Sequence, residues 1–329
     1  MLGEKILITG PAGQIAFPLA RDLAKDNEVW GIARFGDPET RKRVEDVGVT
    51  TRVVDLGSGD FGDLPTDFTY VLHLATFQGA GVDYDYALRT NAEGTGLLLH
   101  HCRAAKAALV MSTASVYKPH EDPFHVFLET DPLGDSNSPF APTYSMSKIS
   151  EEAVARTCAR TLNLPVVIAR MNASYGANGG LPAYQLDWMV ARQPIIVRWD
   201  PCPYSCIHED DIFAQVDPLL GAASVPATVV NWGGDQGVSP QQWCAYFAEL
   251  TGITPEIVVK HLQGTQRGST LSAEKRMSIT GPCKVAWKDG MKRMLEERYP
   301  DGVDAVSAVG GQAASLLAAY QSSTSESGS

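Results

Sequence analysis

No apolar run in the chain approaches the roughly 20 residues that a membrane-spanning helix needs, and basic charge is not in excess. The net charge is −11, with 27 Lys and Arg against 38 Asp and Glu. That balance speaks against nucleic acid or an anionic membrane as the main partner. Metal-ligand spacing is missing too. Cys202, Cys206 and His208 cluster in the sequence, but Cys-x3-Cys-x-His supplies three ligands without the spacing of a closed zinc site, so no metal is expected. The opening segment, residues 1–8, has too short an apolar stretch for a signal peptide. A cytoplasmic protein with reduced thiols is therefore the expectation for its six cysteines. No internal repeat is visible, and low complexity is confined to residues 321–329, which read as a disordered tail. What remains is the composition of an ordinary globular chain, 44% apolar and 20% charged over 329 residues, long enough for a substantial core.

Within it, short apolar runs alternate with amphipathic stretches. Lys5-Ile6-Leu7-Ile8-Thr9 reads as a buried strand and runs straight into Gly10-Pro11-Ala12-Gly13-Gln14-Ile15-Ala16. A helix over 15–25 and a strand over 28–33 follow. Strand, glycine turn, helix and strand form the unit in which a pyrophosphate rests on a helix N-terminus. Gly10 allows the tight turn, Gly13 lets backbone amides approach phosphate, and Ala16 is small enough to keep helix and strand close. Further strands are expected over 51–56, 70–75 and 108–113, with a helix from near Tyr84 carrying Asn91. The pattern predicts an α/β fold, a doubly wound parallel Rossmann sheet whose site lies outside the carboxyl ends of its strands.

Two positions bear on chemistry. At the end of the second strand, where a carboxylate would bond the ribose of NAD, the chain has Ala33 followed by Arg34. A guanidinium there suits a 2′-phosphate, so NADP is the expected cofactor, with NAD as the alternative. Tyr144 and Lys148 lie four residues apart, one turn along a predicted helix. A phenol is a poor base at neutral pH, its reference pKa being about 10. A neighbouring ammonium favours the phenolate, and such a pair can move a proton on and off an alcohol or ketone oxygen.

These segments together resemble the extended, epimerase/dehydratase-like branch of the short-chain dehydrogenase/reductase superfamily. The similarity runs in order through Thr9-Gly10 to Ala16, Asp55-Leu56, His73-Leu74-Ala75-Thr76, Asn91 with Gly94-Thr95, Ser112-Thr113, Tyr144 with Lys148, Arg170 to Gly176, and Ile207 to Asp211. It implies that Tyr144 is the general acid/base, that Lys148 assists it and bonds the nicotinamide ribose, and that Thr113 holds the reacting oxygen. It also implies a dinucleotide lined by Gly10, Ala12, Gly13, Gln14, Ile15, Arg34, Asp55, Leu56, Leu74, Ala75, Thr76, Asn91 and Met171. A homodimer is implied as well. The nucleotide-binding domain would comprise 1–171 and 207–235, and a smaller α/β substrate-binding domain 172–206 and 236–320.

Departures from that pattern shape the expected reaction. Ala114 and Ser115 stand where sugar 4,6-dehydratases carry an Asp-Glu pair. Ala173 replaces an Asn, and Tyr204 an Arg, at positions that grip a sugar nucleotide; Arg192 or Arg198 could substitute. The reading that follows is an NADP-dependent oxidoreductase interconverting a secondary alcohol and a ketone or aldehyde. A nucleotide-sugar 4-epimerase and a non-catalytic cofactor-binding regulator are the alternatives.

Overall fold

In the computed structural model, which describes residues 1–303 and 309–322, the apolar runs pair side by side. Strands β1 (Lys5–Thr9), β2 (Glu28–Ala33), β3 (Thr50–Val53), β4 (Tyr70–His73) and β5 (Ala107–Thr113) join strands Val166–Met171 and Thr228–Trp232 in one seven-stranded sheet. Every pairing in it is parallel. The order across the sheet is Thr228–Trp232, Val166–Met171, β5, β4, β1, β2, β3. Chain direction across the sheet therefore reverses between β1 and β4, the switch point where a crevice opens beyond the carboxyl ends. This is the doubly wound Rossmann-like fold.

A parallel sheet carries helices on both faces, so its strands are apolar throughout instead of alternating. Strand Val166–Met171 is buried at all six positions. One face packs Phe17, Leu19 and Leu23 of helix Ala16–Leu23 with Ile212 and Leu219 of helix Glu209–Gly221. The other packs Leu98 and Leu99 of helix Gly94–His101 with Ala155 and Ala159 of helix Tyr144–Leu162. A further core collects Trp188, Trp243, Phe247, Met291 and Met294. Ser239 starts helix Pro240–Thr251 with a capping box to Gln242 and Pro at the first turn, satisfying amides that the helix cannot.

Some boundaries differ from those expected. The third strand stops at Val53, because Asp55 accepts a hydrogen bond from the Gly57 amide and turns the chain into a short 3-10 segment, Leu56–Ser58. The helix from Tyr84 is interrupted by a π-turn at Arg89–Glu93, which carries Asn91. Helix Gly311–Ser322 includes Gln321 and Ser322 of the expected tail; residues 323–329 lie outside the described residues.

Helix Tyr144–Leu162 is tied to the sheet by buried charge. Arg170 Nε and Nη2 each donate to Glu152 at 2.8 Å, and Ser112 donates to the same carboxylate at 2.7 Å. Arg170 also reaches the Tyr117 hydroxyl and the Glu129 carbonyl, both at 3.0 Å. Burial opposes the charged form of Glu152, but the Arg170 and Ser112 bonds win and hold its carboxyl below the usual range. The stability this confers is present above the ordinary carboxylate range and is lost as pH falls through the depressed value. Glu152→Ala strands the Arg170 guanidinium and is expected to cost about 3–5 kcal/mol in urea unfolding.

Candidate active site

The carboxyl edge of the sheet opens into a cleft of about 940 Å³. Gly10, Ala12, Gly13, Gln14 and Ile15 from the first turn line it, with Arg34 after β2 and Asp55 and Leu56 after β3. Leu74, Ala75 and Thr76 after β4 line it too, as do Asn91, Thr113, Tyr144 and Met171. The residues expected at the site thus meet in one cavity, with a single exception, Lys148.

The turns after β1 and β4 are knitted together. Thr9 and His73 are register partners, and the Thr9 hydroxyl accepts from the Leu74 and Ala75 amides at 3.0 and 2.8 Å. Thr9 also contacts His73 Nδ1 at 2.8 Å, while His73 Nε2 meets Thr95 Oγ1 at 2.7 Å. Thr95 donates its own proton to the Asn91 carbonyl. The network therefore assigns the proton of a neutral imidazole to Nε2. Burial, then the charge of Lys148, pushes the His73 pKa down to about 3, so it stays neutral. Asn91 holds the next loop, accepting from the Phe77 amide at 2.6 Å and donating to the Phe77 carbonyl and to Ser147 at 2.9 Å.

Gly10 has φ 65°, and a Cβ there would lie 3.1 Å from the Ala75 Cα. No side chain caps the helix that starts at Ala16. Its first-turn amides, at a positive dipole end, border the cleft and fit the pyrophosphate of a dinucleotide. Arg34 lies beside Ala33, with Nη1 2.7 Å from the Tyr86 hydroxyl. Asp55, exposed, spends one oxygen on its own turn.

At the end of β5, Thr113 Oγ1 accepts from the Ser115 amide at 3.1 Å, which leaves its O–H to donate into the cleft. Tyr144 is half-buried at the start of its helix, and its phenol makes no hydrogen bond among the described residues. Lys148 departs from expectation. Its side chain is 1% exposed, its Nζ donates to the Met111 carbonyl at 2.8 Å, and it pairs with Glu151. The ammonium sits beneath the cleft wall, not on its surface.

The cleft continues past Tyr144 to Ala173, Tyr184, Tyr204 and Arg198. Arg192 is exposed and does not line it, so of the two cations considered only Arg198 reaches. Arg198 leans over the Tyr204 ring at 5.6 Å and donates to its hydroxyl, while its buried Nε has no partner among the described residues. Trp188 and Met189, on the same helix as Tyr184, belong to the core. Sequence reasoning missed Gln266, Ser269 and the helix Gly311–Ser322, which presents Gln312, Ser315, Leu316 and Ala319 to the cleft. The apolar spacing of Ala313, Leu316, Leu317 and Tyr320 was the available signal for that helix. No group of three or more His, Cys, Asp or Glu side chains among the described residues is placed to hold a metal ion. No helix among them is long and apolar enough to cross a membrane.

Comparison with known proteins agrees with this architecture. The model of the NAD dependent epimerase/dehydratase family matches residues 6–194. An uncharacterized UDP-glucose epimerase, YtcB, of Bacillus subtilis (strain 168) is 23% identical over 273 residues, covering 75% of this chain and 82% of the relative. The dTDP-glucose 4,6-dehydratase 1 of Escherichia coli (strain K12) is 28% identical over 202 residues; the match covers 52% of this chain and about half, 55%, of that relative. Among solved structures, the UDP-glucuronic acid 4-epimerase from Bacillus cereus, in complex with UDP-glucuronic acid and NAD, superimposes with a TM-score of 0.77 at 21% identity. That superposition covers 90% of this chain and 99% of the epimerase. The chain belongs to the NAD dependent epimerase/dehydratase family and is an enzyme of the extended short-chain dehydrogenase/reductase type.

A methyl group at Gly10 would meet both the left-handed backbone and Ala75. Gly10→Ala is expected to lose about 1–2 kcal/mol of stability and at least tenfold in NAD affinity by calorimetric titration.

Proposed function

We propose that this protein is a nucleotide-sugar 4-epimerase, inverting one secondary alcohol of a sugar linked to a nucleoside diphosphate. The observation that carries the reading is the cleft itself, which is lined by the dinucleotide turn and Tyr144 and also by a half-buried guanidinium, Arg198, whose buried Nε has no partner among the described residues. A simple carbonyl compound would bring no charge to meet Arg198. The expected Arg is absent at Tyr204, but Arg198 reaches the same neighbourhood from the strand Ile195–Val197. A guanidinium suits phosphate oxygens because its fork matches them in shape and charge.

The bound dinucleotide supplies reversible hydride transfer. Tyr144 accepts the hydroxyl proton as the alcohol is oxidised and returns it when the ketone is reduced from its other face. Thr113 donates to the same oxygen and fixes its distance from Tyr144. Met171 and Leu74 supply apolar walls that exclude water from the ring. Lys148 holds positive charge near this point. Ala114 and Ser115 both line the cleft and neither carries a carboxyl group, which disfavours a 4,6-dehydratase, whose Asp-Glu pair would act from those two positions.

One observation favours a second reading. Arg34, next to Ala33 in the cleft, suits a 2′-phosphate, as an NADP-dependent alcohol/ketone oxidoreductase would need. Two incubations separate the readings. With UDP-hexoses and NAD, the first predicts isomerised sugar and no net change in nicotinamide absorbance. With NADPH and a panel of small ketones and aldehydes, the second predicts steady consumption of NADPH.

Tyr144→Phe is expected to bind NAD with unchanged affinity and to lose about 10²–10⁴-fold in kcat; full activity rejects the assignment. Arg198→Met is expected to raise KM for the sugar nucleotide at least tenfold with little change in NAD affinity, measured by steady-state kinetics and titration.

A further inference from the structure

The cofactor reading leaves one buried group unexplained. Glu151 stands one turn after Lys148 on the catalytic helix, and its side chain is 1% exposed. It pairs with the Lys148 ammonium, and no other donor among the described residues reaches either carboxylate oxygen. His73 Nε2 lies 3.8 Å from it across the interface with β4, but the imidazole gives its proton to Thr95. Glu152, the next residue, is already engaged by Arg170 and Ser112. Lys148, neutral His73 and Glu152 are thus the titratable groups that face Glu151. A buried carboxylate with a single partner is poorly compensated for its lost hydration. The pairing accompanies a Lys148 Nζ that bonds the Met111 carbonyl and is not among the groups lining the cleft, although Met111 is.

We propose that Glu151 is a positioning residue that holds Lys148 in reserve, and that binding of the dinucleotide draws the ammonium into the cleft and leaves Glu151 to take up a proton. The proton comes from solvent and forms the O–H of a neutral carboxylic acid; no other bond changes. The energetic reason is that an unpaired carboxylate in this position cannot stay charged without large cost. Burial, partly offset by Lys148, already raises the Glu151 pKa to about 7. Losing Lys148 raises it further. The sign follows from linkage: binding that takes up a proton weakens as pH rises.

This inference rests on the dinucleotide reading, and calorimetric titration of the intact protein with NAD distinguishes the two. In buffers of differing ionisation enthalpy, wild type is expected to show net proton uptake, approaching about one proton per NAD bound above pH 8. Affinity is expected to fall by up to about tenfold per pH unit there. Glu151→Gln, similar in shape without the charge, is expected to bind NAD without proton uptake and with a flat profile over the same range. Binding by wild type with no proton exchange overturns the inference alone, whether or not the variant folds. So does a variant that keeps the wild-type profile. Failure to bind NAD or NADP at any pH overturns it together with the cofactor reading.

Discussion

The bidentate pair between Glu152 and Arg170 is the constraint on which the site depends. It joins helix Tyr144–Leu162 to strand Val166–Met171, and Ser112 adds the end of β5 to the same carboxylate. Arg170 then reaches Tyr117, whose hydroxyl donates to Asn231 on the edge strand Thr228–Trp232. One charged cluster therefore fixes the helix against three neighbouring strands. Ionised, bidentate bonds are about twice as strong as neutral ones and tolerate little displacement. Tyr144, at the start of that helix, inherits its place over the carboxyl edge from this clamp, and so does its distance from Thr113.

A second layer of polar contacts shapes the cofactor half. Thr9, His73, Thr95 and Asn91 form a buried chain in which each donor has an acceptor. A neutral imidazole at its centre costs less to bury than a cation would. The chain ties the loops after β1 and β4 to the π-turn, so the cleft walls are set by hydrogen bonds as well as by strand register. Beside it lies the buried pair of Lys148 with Glu151. Glu152 is held by two donor side chains, Arg170 and Ser112, whereas Glu151 has Lys148 alone.

Much of this was legible in the chain. The strand–glycine turn–helix unit is local, because each of its residues answers to backbone geometry within a few positions, and it appears where expected. So do the parallel sheet and the convergence of Gly10, Asp55, Thr113 and Tyr144 on one cleft. The position of Lys148 was not legible, since helical spacing says which face a side chain leaves from but not which partner claims it. Glu151 decides that, and its burial depends on β4, about eighty residues away in sequence. The wall formed by Gln312 and Leu316 was missed for the same reason: contacts across most of the chain leave no short-range pattern. The oxidoreductase reading rested on Ala114, Ser115, Ala173, Tyr204 and Arg34, and which of Arg192 and Arg198 lines the cleft only the folded chain reveals.

The claim at the centre of this account is that hydride leaves a sugar carbon and returns to it inside one cleft. The direct measurement is mass spectrometry and NMR on the products of a UDP-hexose labelled with deuterium at C4, incubated with the protein and NAD in ordinary water. The account predicts the C4 epimer with deuterium retained at C4. An epimer that has exchanged its label for solvent hydrogen, or labelled sugar recovered with its configuration unchanged, would contradict it.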